Sequence, residues 1–134
     1  MLEVSGLTVT YGPVCAVDSI DFTVESGCVA LLGPNGAGKT STLRAISKLT
    51  QSRGTVRFDG RDLRSASAQA IARLGLIHVP EGRRVFPNLS VRENLQVGRT
   101  AASGRRAEFT LDEIFDLFPA LVPLRDRDAW SLSG

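Results

Sequence analysis

The sequence predicts an α/β fold, and three observations support this prediction. Short apolar or alternating runs, typical of strands, recur over residues 1–80. A glycine-rich loop at residues 33–40 stands between one such run and a segment with helical spacing. Two capping boxes after residue 80 indicate helices. We therefore expect a core rich in strands at residues 1–80 and a helical part at residues 81–134.

Length and composition are those of a globular domain. The 134 residues suffice for one domain with a core, and 43% are hydrophobic against 22% charged. No apolar run approaches the ~20 residues of a membrane span, and no secretory signal opens the chain. A net charge of +2 gives no indication of a nucleic acid partner. Cys15 and Cys28 fit no metal or redox spacing, so we expect small buried side chains in a reducing compartment.

Strands are expected at five places in the first part. The run at residues 28–32 is continuously apolar, which favours a strand buried on both faces of a parallel sheet. Helices are expected at residues 40–49, directly after the glycine loop, and at residues 66–74, before Gly75. The five expected strands cover residues 2–10, 20–24, 28–32, 55–58 and 76–79.

Two helices are expected in the second part, each opened by a capping box. The boxes pair Ser90 with Glu93 and Thr110 with Glu113. The first helix should cover residues 91–98. The second should have an apolar face, whose members are Ile114, Phe115, Leu117 and Phe118.

The glycine loop carries the clearest chemical signal. Gly33, Gly38, Lys39 and Thr40 match the motif G-x-x-x-x-G-K-[ST]. Backbone N–H groups of such a loop form a concave site for phosphate oxygens, and Gly36 and Gly38 permit the positive φ values this requires. The following helix adds its positive dipole end. Lys39 can meet the β- and γ-phosphates, and the Thr40 hydroxyl can ligate Mg²⁺.

The alternative is a glycine-rich turn without a ligand. Against it stands the position of the motif between a predicted strand and a predicted helix. Of the sixteen basic residues, only Lys39 and Lys48 are lysines. Because lysine is a flexible point charge and arginine a planar fork, a lysine here points to phosphate chemistry. The loop is therefore interpreted as a site for a nucleoside triphosphate.

Beyond the loop, the sequence resembles the ATP-binding cassette (ABC) family. Tyr11 lies 22 residues before Gly33, where members of that family stack an aromatic ring on adenine. Val17 is either a second wall for the base or part of the core. The resemblance implies ATP and Mg²⁺ as ligands. It implies an ATP site formed by Tyr11, Val17, Asn35, Gly36, Ala37, Gly38, Lys39, Thr40 and Ser41.

Residues 79–83, Val-Pro-Glu-Gly-Arg, resemble the Q-loop of the family. The usual glutamine contributes an oxygen to Mg²⁺, and Glu81 stands in its place. A carboxylate is still a hard oxygen ligand, so Glu81 is a candidate metal ligand beside Thr40. Alternatively, Glu81 is a solvated loop residue paired with Arg83 or Arg84. This version of the loop looks like that of ATP-binding subunits of branched-chain amino-acid importers.

The last three residues resemble the opening of the family's signature motif. By this resemblance, Ser133 and Gly134 would cover the nucleotide held by a second ABC ATPase subunit. The resemblance also implies membrane-spanning permease subunits as partners, contacted near Arg83, Arg84 and Phe86. The chain would then lie in the cytoplasm, on the inner face of the cell membrane.

Family members hydrolyse ATP with residues that follow the signature, and none can be placed here. The pair Asp112 and Glu113 is explained by its capping box, and His78 by a structural role. We therefore expect an α/β P-loop NTPase of the ABC ATPase type with its C-terminal part missing, including Walker B, the catalytic Glu and the switch His. Such a truncated chain should fold poorly and bind ATP without turning it over.

Two other interpretations remain open. One is a non-catalytic relic of a cassette that binds nucleotide or a partner protein. The other is a cassette that acts on DNA. Cassettes of that kind usually separate loop and signature by long insertions, whereas fewer than 100 residues intervene here. Balanced charge also speaks against a DNA partner.

Overall fold

The structure is a computed structural model that describes residues 1–82, 84–101 and 109–132; for residues 100 and 101 it describes the backbone alone. The chain divides into two compact units, Met1–His78 and Val79–Gly134. Within the described ranges, every helix is too short or too polar to cross a membrane.

The first unit is built on a four-stranded antiparallel sheet, whose strands are β1 (Leu2–Tyr11), β2 (Val14–Val24), β3 (Arg53–Phe58) and β4 (Arg61–Asp62). Their order in the sheet is β2-β1-β3-β4. Strand β1 lies between β2 and β3, and Leu2 accordingly lies opposite both Val24 and Phe58. Alternating side chains allow one face of such a sheet to be apolar and the other to meet water.

Two helices accompany this sheet in the first unit, α1 (Lys39–Ile46) and α2 (Ala68–Leu74), and both contribute to its buried cluster. Both were predicted, although α1 ends three residues earlier than expected because Lys48 adopts a left-handed φ of 55°. Gly75 ends α2 with a φ of 106°, as the stop signal indicated. The buried cluster comprises Val4, Leu7, Val9, Val17, Ala45, Ile46, Val56, Leu63 and Ile71.

Two of the predicted strands are absent, and both predictions were wrong. Residues 28–32 and 76–79 form no strand and have no partner strand in the described ranges. Several of their apolar side chains are exposed: Val29 by 54%, Leu32 by 90% and Val79 by 86%. A strand exists only through hydrogen bonds to neighbours, and a parallel neighbour must come from a distant part of a chain. The apolar composition of these two segments was therefore not sufficient to predict a strand.

The expectation of buried cysteines was also wrong, because Cys15 and Cys28 are both exposed. Cys28 begins the unpaired segment just described, so no neighbouring strand covers it. Cys15 lies one residue into β2, beside the turn that follows β1, and its thiol donates to the Val17 carbonyl oxygen at 3.3 Å. Burial of a small side chain depends on what packs over it, which composition does not specify.

The second unit contains α3 (Val91–Ala101), α4 (Leu111–Leu117) and two 3₁₀-helices, Pro119–Leu124 and Ala129–Ser131. Both predicted capping boxes are present. The Glu93 carboxylate accepts from the Ser90 N–H at 2.8 Å, and the Glu113 carboxylate accepts from the Thr110 N–H at 2.6 Å. In return, Ser90 and Thr110 each accept a backbone N–H at 3.2 Å. Helix α3 begins where predicted and ends three residues later than expected.

Only part of the predicted apolar face of α4 is buried. Phe115 is buried, and the guanidinium carbon of Arg92 lies 5.8 Å from its ring centroid. Leu117 and Phe118 are 59% and 58% exposed, so the buried part of this face does not include them. Residues two apart on a helix point about 200° apart, which turns Leu117 away from Phe115, and Phe118 lies past the helix end.

Candidate nucleotide-binding site

The glycine loop in the first unit has the backbone that the motif predicts. Gly36 and Gly38 adopt φ values of 85° and 84°, in the left-handed region that disfavours side chains. The Ala37 N–H donates to the Pro34 carbonyl oxygen at 3.2 Å, which closes a tight turn. Helix α1 begins at Lys39, directly after the loop. The N–H groups of its first turn have no partner within the helix and therefore point toward the loop. This is the arrangement that binds anions.

Lys39 folds back over its own loop. Its ammonium group donates to the carbonyl oxygens of Gly33 and Pro34, both at 2.7 Å. An ammonium has three donor hydrogens, so one more acceptor can be bound without breaking either contact. The loop thereby holds the cation at the start of α1 before any ligand arrives.

The loop rests on the backbone of β2. A Cβ atom on Gly38 would collide with the Ala16 carbonyl oxygen and would lie 3.1 Å from the Val17 methyl carbon Cγ2. Only a glycine therefore permits this approach. On the other side, the Gly38 carbonyl oxygen accepts from the Thr42 N–H at 2.8 Å and from the Thr42 hydroxyl at 3.0 Å. Gly38 is thus fixed between strand and helix.

Tyr11 ends β1, opposite Val14 across the turn, and its side chain is 46% exposed. Hydrogen bonds from the side chains of Thr50 and Ser41, together with the charge of Arg44, lower the pKa of the Tyr11 phenol below its ordinary value. The phenol therefore lies beside α1, and its ring is open to solvent. An exposed ring with a tethered hydroxyl can offer a stacking face.

The remaining predicted members of the ATP site differ in exposure. Asn35, Ala37 and Thr40 are exposed. Ser41 is half-buried near Tyr11. Val17 is 6% exposed and belongs to the core cluster, so the core alternative describes its position, while its contact with a base stays a prediction.

The other predicted site residues lie in the second unit. Glu81 and Arg84 are exposed, and Phe86 is 52% exposed. Their roles toward metal and permease stay predictions. Ser133, Gly134 and Arg83 lie outside the described residues.

Two contacts of the site were not anticipated from sequence. The Ala16 carbonyl oxygen behind Gly38 and the Thr50 hydroxyl beside Tyr11 both join residues far apart in the chain. Backbone carbonyls carry no sequence signature. A threonine after a helix is too common to be noticed.

Comparison with known proteins bears on the family and the fold. Residues 17–133 match the family model described as ABC transporter. The high-affinity branched-chain amino acid transport ATP-binding protein BraG of Pseudomonas aeruginosa is 33% identical; the match covers all of this chain and 58% of BraG. Nod factor export ATP-binding protein I of Ralstonia nicotianae is 40% identical, over all of this chain and 42% of that protein.

A solved structure of the ATP-binding subunit of an ABC transporter superposes with a TM-score of 0.80 at 26% identity, over 98% of this chain and 55% of that one. This likeness confirms the predicted fold class, an α/β ABC ATPase core. The chain thus spans about half the length of these proteins. With its family model matched over most of its residues, the chain belongs to the ABC transporter family.

Proposed function

We propose that this chain binds ATP through the loop at residues 33–41, as part of the energising subunit of an ABC transporter. The observation that carries the proposal is the loop itself, in which Gly36 and Gly38 adopt left-handed φ values directly before α1. Lys39 is already placed over the loop by two hydrogen bonds. A triphosphate would meet N–H groups, a helix dipole and an ammonium group together.

Mg²⁺ fits the same proposal. The described residues contain no cluster of three or more His, Cys, Asp or Glu side chains that could hold a metal ion. Mg²⁺ commonly keeps several waters and takes few protein ligands beside phosphate oxygens. Thr40, which is exposed, would supply one ligand through its hydroxyl. The metal would accordingly enter with the nucleotide.

Titration calorimetry with Mg·ATP tests the nucleotide site. Lys39→Met removes the charge while keeping the stem, and Lys48→Met makes the same change at the other lysine of the chain. We expect binding heat for the natural chain and for Lys48→Met, with affinity at least tenfold weaker for Lys39→Met, about 1.4 kcal/mol. Equal affinity of both variants, or no heat from the folded natural chain, would remove the proposal.

We further propose that the 134 residues alone do not turn ATP over. No acidic residue in the sequence resembles the Walker B aspartate or the catalytic glutamate of the family, because Asp112 and Glu113 open α4 instead. Phosphate release from Mg·ATP is the measurement. Steady release that Lys39→Met abolishes would contradict this part of the proposal and leave the binding site intact.

Branched-chain amino acids are the proposed cargo class, with a second ABC ATPase subunit and permease subunits as partners at the inner face of the membrane. Two features support this: the segment at residues 79–83 and the match to BraG over all of this chain. The Nod factor protein is the competing indication. Deleting the gene should lower uptake of labelled leucine and leave uptake of an unrelated sugar unchanged. Unchanged leucine uptake would exclude this cargo.

A further inference from the structure

The Asn94 side chain ties the start of α3 to the loop before it. Its Oδ1 accepts from the Phe86 N–H at 2.8 Å. Its Nδ2 lies 3.0 Å from the Phe86 carbonyl oxygen, 3.1 Å from that of Leu89 and 3.0 Å from that of Ser90. A carboxamide has two donor hydrogens, so these three carbonyls share them. One half-buried side chain thus forms hydrogen bonds with the backbone at both ends of the segment from Phe86 to Ser90.

The same segment is joined to a stretch more than thirty residues further along the chain. The Leu89 carbonyl oxygen, already bound by Asn94, also accepts from the Ala129 N–H at 3.0 Å. Ser90 forms an isolated β-bridge with Asp128, and the Val91 N–H donates to the Arg127 carbonyl oxygen at 3.1 Å. The Leu89 carbonyl oxygen therefore connects the Asn94 side-chain amide to the backbone of residues 127–129.

Arg92 provides a second link on the same turn of α3. Its N–H donates to the Arg125 carbonyl oxygen at 2.9 Å, and its guanidinium lies 3.4 Å from the Asp126 carboxylate. The guanidinium also lies over the Phe115 ring. Because its exposed ion pair contributes little by itself, the backbone strip at residues 125–129 is the main connection. A hydrogen-bonded path thus runs from Phe86 to Ala129.

We propose that Asn94 is a positioning residue: by holding the Leu89 carbonyl, it sets the placement of residues 127–132, which lead into Ser133 and Gly134. The significance of those two residues rests on the proposed function together with the family resemblance, by which they would cover the nucleotide of a partner subunit. The contacts themselves do not depend on it. Coupling between two ends of a segment requires a contiguous physical connection, and the path through Leu89 supplies one.

The molecule contains a built-in reporter for this placement. Trp130 is the single tryptophan of the chain, it follows Ala129 directly, and it is 67% exposed. Its fluorescence anisotropy decay reports local motion of that segment, and amide hydrogen exchange of Ala129 reports the bond to Leu89. Exchange at Phe118, whose N–H donates to the Ile114 carbonyl oxygen at the C-terminal end of α4, reports whether that helix remains folded.

Three variants of the 134-residue chain make the test. Asn94→Ala removes every contact of the amide. Asn94→Asp keeps an acceptor for the Phe86 N–H and places carboxylate oxygens against the carbonyls. Asn88→Ala is the control, an exposed asparagine in the same loop. We expect about tenfold faster exchange of Ala129 and a larger amplitude of Trp130 motion in both Asn94 variants, with Phe118 exchange unchanged. The control should match the natural chain.

The outcomes separate this inference from the nucleotide proposal. Faster exchange at Phe86 with Ala129 and Trp130 unchanged would show that Asn94 holds only its own loop, and would overturn the inference. Loss of Phe118 protection in both Asn94 variants would overturn it as well, because a positioning residue leaves the rest of the unit folded. Absence of ATP binding would remove the proposed function and leave these exchange results standing.

Discussion

The Ala16 carbonyl oxygen occupies the space that a Cβ atom on Gly38 would need. This contact joins β2 to the glycine loop, between residues 22 positions apart in sequence. Gly38 also adopts a φ of 84°, so two separate physical requirements exclude a side chain there. Gly36 has nearly the same φ, 85°, but nothing lies within 4 Å of the position that a Cβ atom would take on it. A comparison of substitutions at these two glycines therefore distinguishes the effect of backbone strain from that of steric collision.

Gly38→Ala should destabilise the chain more than Gly36→Ala. The φ strain common to both is on the order of 1–2 kcal/mol. Collision with the β2 backbone adds about 1–3 kcal/mol at Gly38 alone, because a main-chain carbonyl cannot move aside as a flexible side chain can. Urea unfolding of both variants measures the difference. Equal midpoints would show that β2 yields to the added methyl group.

Thr42→Val should lower stability by about 0.5–1.5 kcal/mol. Thr42 is 3% exposed, and its hydroxyl donates to the Gly38 carbonyl oxygen at 3.0 Å. Valine keeps the shape, and the Thr42 N–H still binds that oxygen, so no buried acceptor is left alone. Thr40→Val is the matched control at an exposed position, for which a change within about 0.5 kcal/mol is expected. Indistinguishable unfolding curves would show that the hydrogen bond of the Thr42 hydroxyl does not contribute to the free energy of unfolding.

The Tyr11 phenol should titrate with a pKa below its ordinary value of 10.0. Hydrogen bonds from Thr50 and Ser41 favour the phenolate, so the pKa of Tyr11 is lowered in the folded chain. Since Tyr11 is the single tyrosine, its absorbance at alkaline pH reports this group alone. Thr50→Val should move the midpoint upward, because Thr50 is the larger of the two contributions. A midpoint that Thr50→Val leaves unchanged would argue against contact between these side chains.

Stability should fall in acid through the capping box of α4. The Thr110 N–H and hydroxyl hold the pKa of Glu113 below its ordinary value of 4.5. A carboxyl with a lowered folded-state pKa stabilises the fold above its unfolded-state pKa, and this contribution disappears as pH falls through the folded-state value. Glu93 behaves in the same way toward Ser90.

Denaturant midpoints between about pH 7 and pH 3 measure this effect, since that window spans the unfolded-state pKa of a glutamate. Glu113→Gln should give a shallower decline, because glutamine still accepts the Thr110 N–H and does not titrate. Asp112→Asn, in the same first turn of α4, is the control that leaves the Glu113 pair in place. A decline as steep in Glu113→Gln as in the natural chain would assign the acid sensitivity to other groups.

Local signals in the sequence predicted local structure correctly. The left-handed φ values of Gly36 and Gly38 and the start of α1 follow from the glycine and lysine pattern, because loop and helix end are neighbours in the chain. Both capping boxes formed as predicted, since their partners are three residues apart. Residues 28–32 were assigned wrongly because their environment depends on distant strands, which an apolar run does not specify.

The sequence alone therefore determined the conformation of the glycine loop, the starts of α3 and α4, and the family to be expected. These depend on spacings of a few residues, and steric rules act directly at that distance. Only the tertiary structure decided that Gly38 rests against Ala16, that Tyr11 meets Thr50 and that Asn94 reaches Ala129 through Leu89. Each of these contacts closes a loop of many residues, and the conformational entropy lost in that closure is offset only when the whole unit packs.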